Sequence, residues 1–441
     1  MASSDTKPKS LKTPGFDAAW DYPLMDAMFK RRTRRIAFGA EIPGGPTKYK
    51  SEKPPMPLTE LEEALLVQGG TGLSGLNLAD LPFCDEQGRD AGGNTMIQFA
   101  GRTWPSPCAS HDTELFFWND EGTYVMKLHN VDPERMLNYE TYDDRERVLE
   151  FHRKCAVKLF DGRPDYPHTY PTMLPFNIPI SDIPGTTILL PIADTTFELI
   201  NVLLLMCGWP DGGLTIVDQE NGGRPAGCER WIKEGLLNEM YKAPLDYFGR
   251  ISSIESGFII QNLLLTIQAM GLGGWVHAHP ASLVLLGGTP LSRGLGFRFT
   301  TGTGGSTQGM PMPVGLDGVL EAYCPPYYEN MDAAVDAVVE RKFAPGGLYD
   351  PQVNSASAFK NRHEVVRGVP HYSDALVQCV KDICNYIHDT YGRFPSHVDA
   401  ITTPGCWVQA HHLDLEFYDR FYDKGAYTET QLNHMRLWHE G

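Results

Sequence analysis

Residues 31–35, Arg-Arg-Thr-Arg-Arg, place four arginines and one threonine in five consecutive positions of an otherwise acidic chain. In an extended segment Arg31, Thr33 and Arg35 fall on one side. Two guanidinium groups and a hydroxyl can then converge on a single anion. Guanidinium binds phosphate through paired donors, and a threonine hydroxyl adds a neutral one, so the chemistry on offer is phosphate recognition. The cluster also follows an apolar stretch of helical spacing, residues 17–32. Cations suit the carboxyl end of a helix, so a solvated basic patch is the competing reading.

Other residue types invite weaker chemistry. His277 and His279, in Val-His-Ala-His-Pro, share a face of an extended segment and suit orienting a substrate or moving a proton. Two loop histidines would look the same. Cys108 is a candidate reactive thiol, although a lone cysteine also suits a core. Residues 408–422 read as a helix with His412 four before Glu416 and His411 three before Asp414, and His434 and His439 follow. Such spacings can bind a metal, but no third ligand is specified, so a polar helical face is preferred and no metal is expected. The Gly/Thr-rich stretch 300–309 lacks the Gly-Lys-Ser/Thr ending of a nucleotide-binding loop. Gly271–Gly274 closes a helix where a dinucleotide fingerprint would open one. No Gly-x-Ser-x-Gly elbow is present.

The elements that must hold these groups are legible in outline. The chain has 441 residues and a formal net charge of −17, which argues against a general nucleic-acid or anionic-membrane binder. Nine cysteines without paired spacing favour reduced thiols and a cytoplasmic protein. Helices are expected at 17–32, at 58–70 with Thr59 and Glu62 as a capping pair, at 143–160, at 197–209, at 256–274 and at 372–392. Strands are expected as a hairpin over 113–128, at 186–194 and at 282–288. Residues 300–318 read as a long loop. Residues 1–16 form a polar tail expected to be disordered. Eight of the fourteen histidines fall after residue 330, and 331–441 is treated as an appended helical region.

Four segments then carry a family resemblance. Arg-Arg-Thr-x-Arg resembles the FMN-phosphate motif of the nitroreductase family. PLTELEEALLVQGGTG (57–72) resembles a helix and glycine stretch of that family's azoline-dehydrogenase branch, the SagB type. GRTWPSPCASHDTELFFW (101–118) is similar to that branch's signature at Arg102, Pro105, Ser106, His111 and Glu114, with Cys108 where the branch has glycine. ESGFIIQNLLLTIQAMGLGGW (255–275) resembles its glutamine-asparagine helix ending in Gly-Leu-Gly.

The resemblance implies an α+β fold, with a central, mostly antiparallel sheet flanked by helices, and a homodimer with FMN at the subunit interface. Residues 17–330 would form the FMN domain. Arg31, Thr33 and Arg35 would hold the phosphate and ribityl chain, with Arg293 or Arg298 closing that site. Pro105 and Ser106 would pack at the isoalloxazine. Gly273, Gly274, Val276 and Ala278 would lie against the ring and offer a backbone N–H near N5, and Gln261 is a further candidate. The implied activity is two-electron hydride transfer on a small organic substrate, driven by NAD(P)H or ending on oxygen. A peptide azoline oxidase and a non-catalytic FMN store are the alternatives. No Lys-Tyr pair of the azoline dehydrogenases can be placed.

Overall fold

The computed structural model describes residues 13–76, 81–90, 100–107, 109–127, 147–245, 251–278, 282–350, 359–395, 397–398 and 406–440. Its centre is an antiparallel sheet built from alternating apolar stretches. The strands are β1 (Thr113–Trp118), β2 (Gly122–Met126), β3 (Ala156–Asp161), β4 (Thr187–Asp194), β5 (Gly273–Ala278), β6 (His397–Val398) and β7 (Cys406–His411). All seven join one sheet in the order β5-β7-β4-β1-β2-β3, with β6 also on β4. Successive side chains point to opposite faces. Leu115, Phe117, Leu189, Val408 and Ala410 therefore enter one core, and Phe116, Trp118, Ile188, Leu190 and Trp407 another.

The helices that position the site are α1 (Pro14–Trp20), α2 (Leu24–Phe29), α3 (Glu60–Thr71), α4 (Val148–Cys155), α5 (Thr195–Met206), α6 (Ile251–Met270), α7 (Met331–Phe343), α8 (Asp374–Tyr391), α9 (Leu415–Phe421) and α10 (Glu429–His439). The expected mixture of helix and antiparallel sheet is present. Helices α1, α3, α4 and α6 cover the first face, while α5, α7 and α8 share a separate core. Among the described residues no helix is long and apolar enough to cross a membrane.

Several expectations need correction. The tail ends sooner than residue 16, because Thr13 caps α1 and Phe16 is buried. The helix expected over 17–32 is two helices, broken at Pro23, which has no N–H to continue the first. Residues 282–288 form a short helix, Ser282–Leu286, where a strand was expected. The expected loop 300–318 is mostly a hairpin of Arg298–Thr301 and Pro311–Leu316. Residues 331–441 are not an appended helical unit. Their strand β7 is interior, hydrogen-bonded to β5 on one side and β4 on the other, so the sheet is incomplete without them.

Gly69 and Gly70 do not end α3, which runs on to Thr71. They admit α6 instead. A Cβ at Gly69 would sit 2.2 Å from Thr266 Oγ1, and one at Gly70 2.5 Å from Leu263 Cδ2. Thr266 cannot swing away freely, because its hydroxyl donates to Asn262 O at 2.9 Å. Gly69→Val is expected to cost about 1–3 kcal/mol by overpacking. Urea denaturation checks it, and an unchanged midpoint would show that α3 and α6 can part. Gly271 is the glycine that does terminate a helix: its φ is +79° and a Cβ there would lie 2.3 Å from Thr430 O.

Candidate functional site

Residues 31–38 run extended along the edge of β5. Arg34 pairs with Gly274 and Ala37 with Leu413 as antiparallel bridges. Arg34 N donates to Gly274 O at 3.3 Å, Phe38 N to His412 O at 3.2 Å, and Asp414 N to Ile36 O at 2.9 Å. The Tyr418 hydroxyl accepts from Arg35 N at 2.9 Å, and Arg32 N donates to Gln268 Oε1 of α6 at 3.1 Å. The segment is thus clamped by β5, α6 and the C-terminal region.

Its side chains divide as an extended chain requires. Arg32 donates to Lys30 O at 3.0 Å, and Arg34 donates to Ala426 O and lies over the Tyr418 ring at 5.5 Å. Arg32 thus braces its own turn, and Arg34 ties the segment to the C-terminal region. Arg31 Nη1 approaches Thr33 Oγ1 at 3.3 Å, Thr33 and Arg35 are exposed, and Arg35 lies 4.8 Å over the Trp275 ring. Among the described residues no ion pair involves Arg31 or Arg35. Trp275 is 2% exposed and its Nε1 has no acceptor among them. Arg31 and Thr33 in contact, with Arg35 two residues on and stacked over Trp275, make a donor set suited to phosphate.

Strand β5 is the sheet's edge. In an antiparallel strand, alternate residues turn both backbone groups outward. Gly274 does so toward Arg34, and Val276, 36% exposed, presents its N–H along the same open edge. Gly273 and Gly274 serve packing: Cβ atoms there would meet His411 Nε2 at 2.5 Å and Ile267 Cδ1 at 2.8 Å. Ala278 pairs with Cys406 at the end of the strand.

The remaining candidates are scattered. His277 is 1% exposed, with Nε2 2.8 Å from Asn177 Nδ2 and its ring 4.9 Å from both Trp275 and Trp407. Burial, and then the charge of Arg35, pull its pKa down to about 4. It is a neutral core histidine on the opposite face from Val276, not a proton donor at the open edge. Pro105 is exposed, and Ser106 Oγ accepts from Ser110 N at 3.1 Å and lies in reach of Glu255 near the start of α6. Gln261 is exposed in the middle of α6. Arg293 stacks on Phe160 at 5.5 Å, and Arg298 pairs with Asp317 at 2.5 Å, so the partners of both lie away from Arg31 and Arg35. Cys108 and His279 lie outside the described residues.

No residue pattern marked Trp275, Gln268 and Tyr418 as parts of this site. An aromatic after two glycines carries no distinguishing pattern, and Tyr418 reaches Arg35 across 383 residues. The C-terminal histidines also sort differently from expectation. His411 lies in β7 and not in a helix, Asp414 accepts from Tyr49 OH at 2.8 Å and Ser51 Oγ at 2.6 Å, and His412, His434 and His439 gather around Glu62.

No family model and no curated protein matches the chain. Among solved structures it is similar to a provisionally assigned nitroreductase of Ralstonia eutropha JMP134. The TM-score is 0.26 and the identity 14%, over 58% of this chain and 70% of that one. What the site can do follows from the chain's own residues.

Proposed function

We propose that the chain is an FMN-dependent oxidoreductase of nitroreductase type, with Arg31, Thr33 and Arg35 as its phosphate grip. One observation carries the reading: the arginine segment and β5, two of the four stretches that resemble the family, are hydrogen-bonded side by side. The donor set fits the cofactor. Arg31, Arg35 and Thr33 would take the phosphate, and the Val276 N–H would face the edge of the ring. FMN, when bound, would supply two-electron hydride chemistry, which demands little acid–base machinery from the protein. The neutral His277 agrees with that demand.

The placement of Ser106 favours a dimer. Arg32 is tied to Gln268 and Ser106 to Glu255, 13 residues earlier on α6, or ~20 Å along the helix. In a dimer, one cofactor could meet one end of the motif set from each chain. The surface suits such a partner. Leu24, Met25 and Phe29 of α2 are 63%, 59% and 76% exposed, and Ile254 and Phe258 near the start of α6 are exposed apolar side chains as well. The apolar cavity of about 320 Å³ among α1, α2, α3 and α6 is no rival phosphate site, because among the described residues no charged side chain lines it.

The test is the visible spectrum of the purified chain after FMN loading and desalting, followed by anaerobic NADH or NADPH. Retained flavin absorbance that bleaches on addition supports the reading. A colourless protein overturns it. Retained absorbance that no nicotinamide bleaches, but that a substrate bleaches and air restores, assigns the oxygen-using version. Flavin that no donor reduces overturns the activity and leaves a storage protein.

A further inference from the structure

Glu62 of α3, His412 just after β7, and His434 and His439 of α10 bring four potential ligand atoms within 4.8 Å of one another. Glu62 and His412 side chains are 0% exposed, His434 is 3% and His439 14%. Glu62 Oε1 lies 3.2 Å from His412 Nε2 and 3.1 Å from both His434 Nε2 and His439 Nε2, while His412 Nε2 and His439 Nε2 are 3.2 Å apart. Ligands at zinc's usual 2.0–2.1 Å define a tetrahedron with edges of roughly 3.3 Å. Four of the six edges here already have nearly that length.

The outer contacts aim the same atoms inward. His412 Nδ1 lies 3.0 Å from Met56 O and His434 Nδ1 2.8 Å from Met270 O. A carbonyl only accepts, so in each ring Nδ1 carries the hydrogen and the neutral ring offers the Nε2 lone pair. That is the arrangement that backbone carbonyls impose on metal-bound histidines. The other Glu62 oxygen, Oε2, is taken by Thr59 N at 2.7 Å and Thr59 Oγ1 at 2.8 Å, leaving Oε1 for the centre. Among the described residues the buried His434 Nε2 has no hydrogen-bond partner, although it sits beside Glu62 Oε1. Lone pairs from imidazoles and a carboxylate facing one point call for a cation between them.

We infer that Glu62, His412, His434 and His439 hold one zinc ion. The four protein ligands close the coordination sphere, so the ion is structural. It ties α3 to the end of β7 and to α10, the region that also clamps residues 34–38 through His412 O and Ala426 O. The inference is independent of the flavin reading.

Elemental analysis of the full chain, purified without chelator and again after chelation and incubation with zinc chloride, tests it. About one zinc per chain is expected in both preparations, with chelation lowering the melting temperature and zinc restoring it. His439→Ala, in the last turn of α10 and the most exposed of the four, is expected to fold and to bind zinc at least ~100-fold more weakly, beyond what loss of an outer contact brings. Absence of zinc from wild type even after incubation with the metal overturns the inference. So does a different ion at full occupancy, or zinc retained undiminished in both His439→Ala and His434→Ala. The wild-type stoichiometry decides the matter even where a variant fails to fold.

Discussion

The double variant Arg31→Ala, Arg35→Ala is expected to bind FMN between about 10² and 10⁴ times more weakly while melting like wild type. Each guanidinium–phosphate bond is charge-assisted and contributes about 1.5–3 kcal/mol, and two lost bonds multiply in the dissociation constant. The fold should survive because neither side chain is in an ion pair among the described residues and Arg35 is exposed. Arg34→Ala is the informative contrast. That guanidinium anchors the segment to Ala426 O and Tyr418, so its loss should lower stability as well as affinity. Flavin fluorescence titration and a circular-dichroism melt read the two effects. An unchanged dissociation constant in the double variant would return the cluster to the solvated patch that its position after α2 also allows.

The division of labour within residues 31–35 was legible because extended chains alternate, and the arginine and threonine types name their ligand. The seat of that segment was not. Its neighbours arrive from Gln268, Gly274 and Tyr418, at separations of 236 to 383 residues. Periodicity reports only which residues share an element, so contacts across such distances leave no trace in one sequence. His277 shows the reverse failure. The segment is extended as expected, but the alternation of β5 sets His277 inward and Val276 outward, and residue type alone favoured the wrong one.

The same limit explains the histidines. His412 was paired with Glu416 on the assumption of a helix from 408, whereas the alternation of Cys406–His411 makes a strand and its true carboxylate neighbour is Glu62, 350 residues away. Glu62 had been read correctly as a capping residue, and the capping box is present. That role uses one carboxylate oxygen and leaves the other for the cluster. The hairpin β1–β2, the buried strand β4 and helices α3, α6 and α8 were legible because each is a local pattern with its own turn or cap. The break at Pro23 was visible too, but apolar spacing on both sides masked it.

Asp182→Asn is expected to cost about 3–5 kcal/mol, because it removes the buried carboxylate charge that pairs with Arg163. The Asp182 side chain is 0% exposed and accepts from Trp118 Nε1 at 3.0 Å, from Tyr166 OH at 2.5 Å and from Arg163. Its φ of +53° is one that asparagine also tolerates, so the substitution isolates the charge from the backbone. Arg163 keeps Asp120 at 2.8 Å, which places the loss toward the lower end of the range. Burial alone would raise the Asp182 carboxyl, but the bond from His168, the charge of Arg163 and the bond from Tyr166 hold it below the usual range. A carboxyl depressed in the folded state stabilises above its unfolded pKa, about 3.9, and loses that contribution as pH falls through the folded value. The gap between wild type and variant should therefore be full at pH 7 and narrow on acidification below about pH 4. Denaturation curves at both values decide it, and a gap that widens in acid would refute the electrostatic account. The consequence extends to the site. Asp182 N donates to Gln409 Oε1 at 2.8 Å, and Gln409 of β7 pairs directly with Trp275 of β5, beneath Arg35. If β5 is the floor of the phosphate grip, the variant should also bind FMN more weakly, although Asp182 never touches the cofactor.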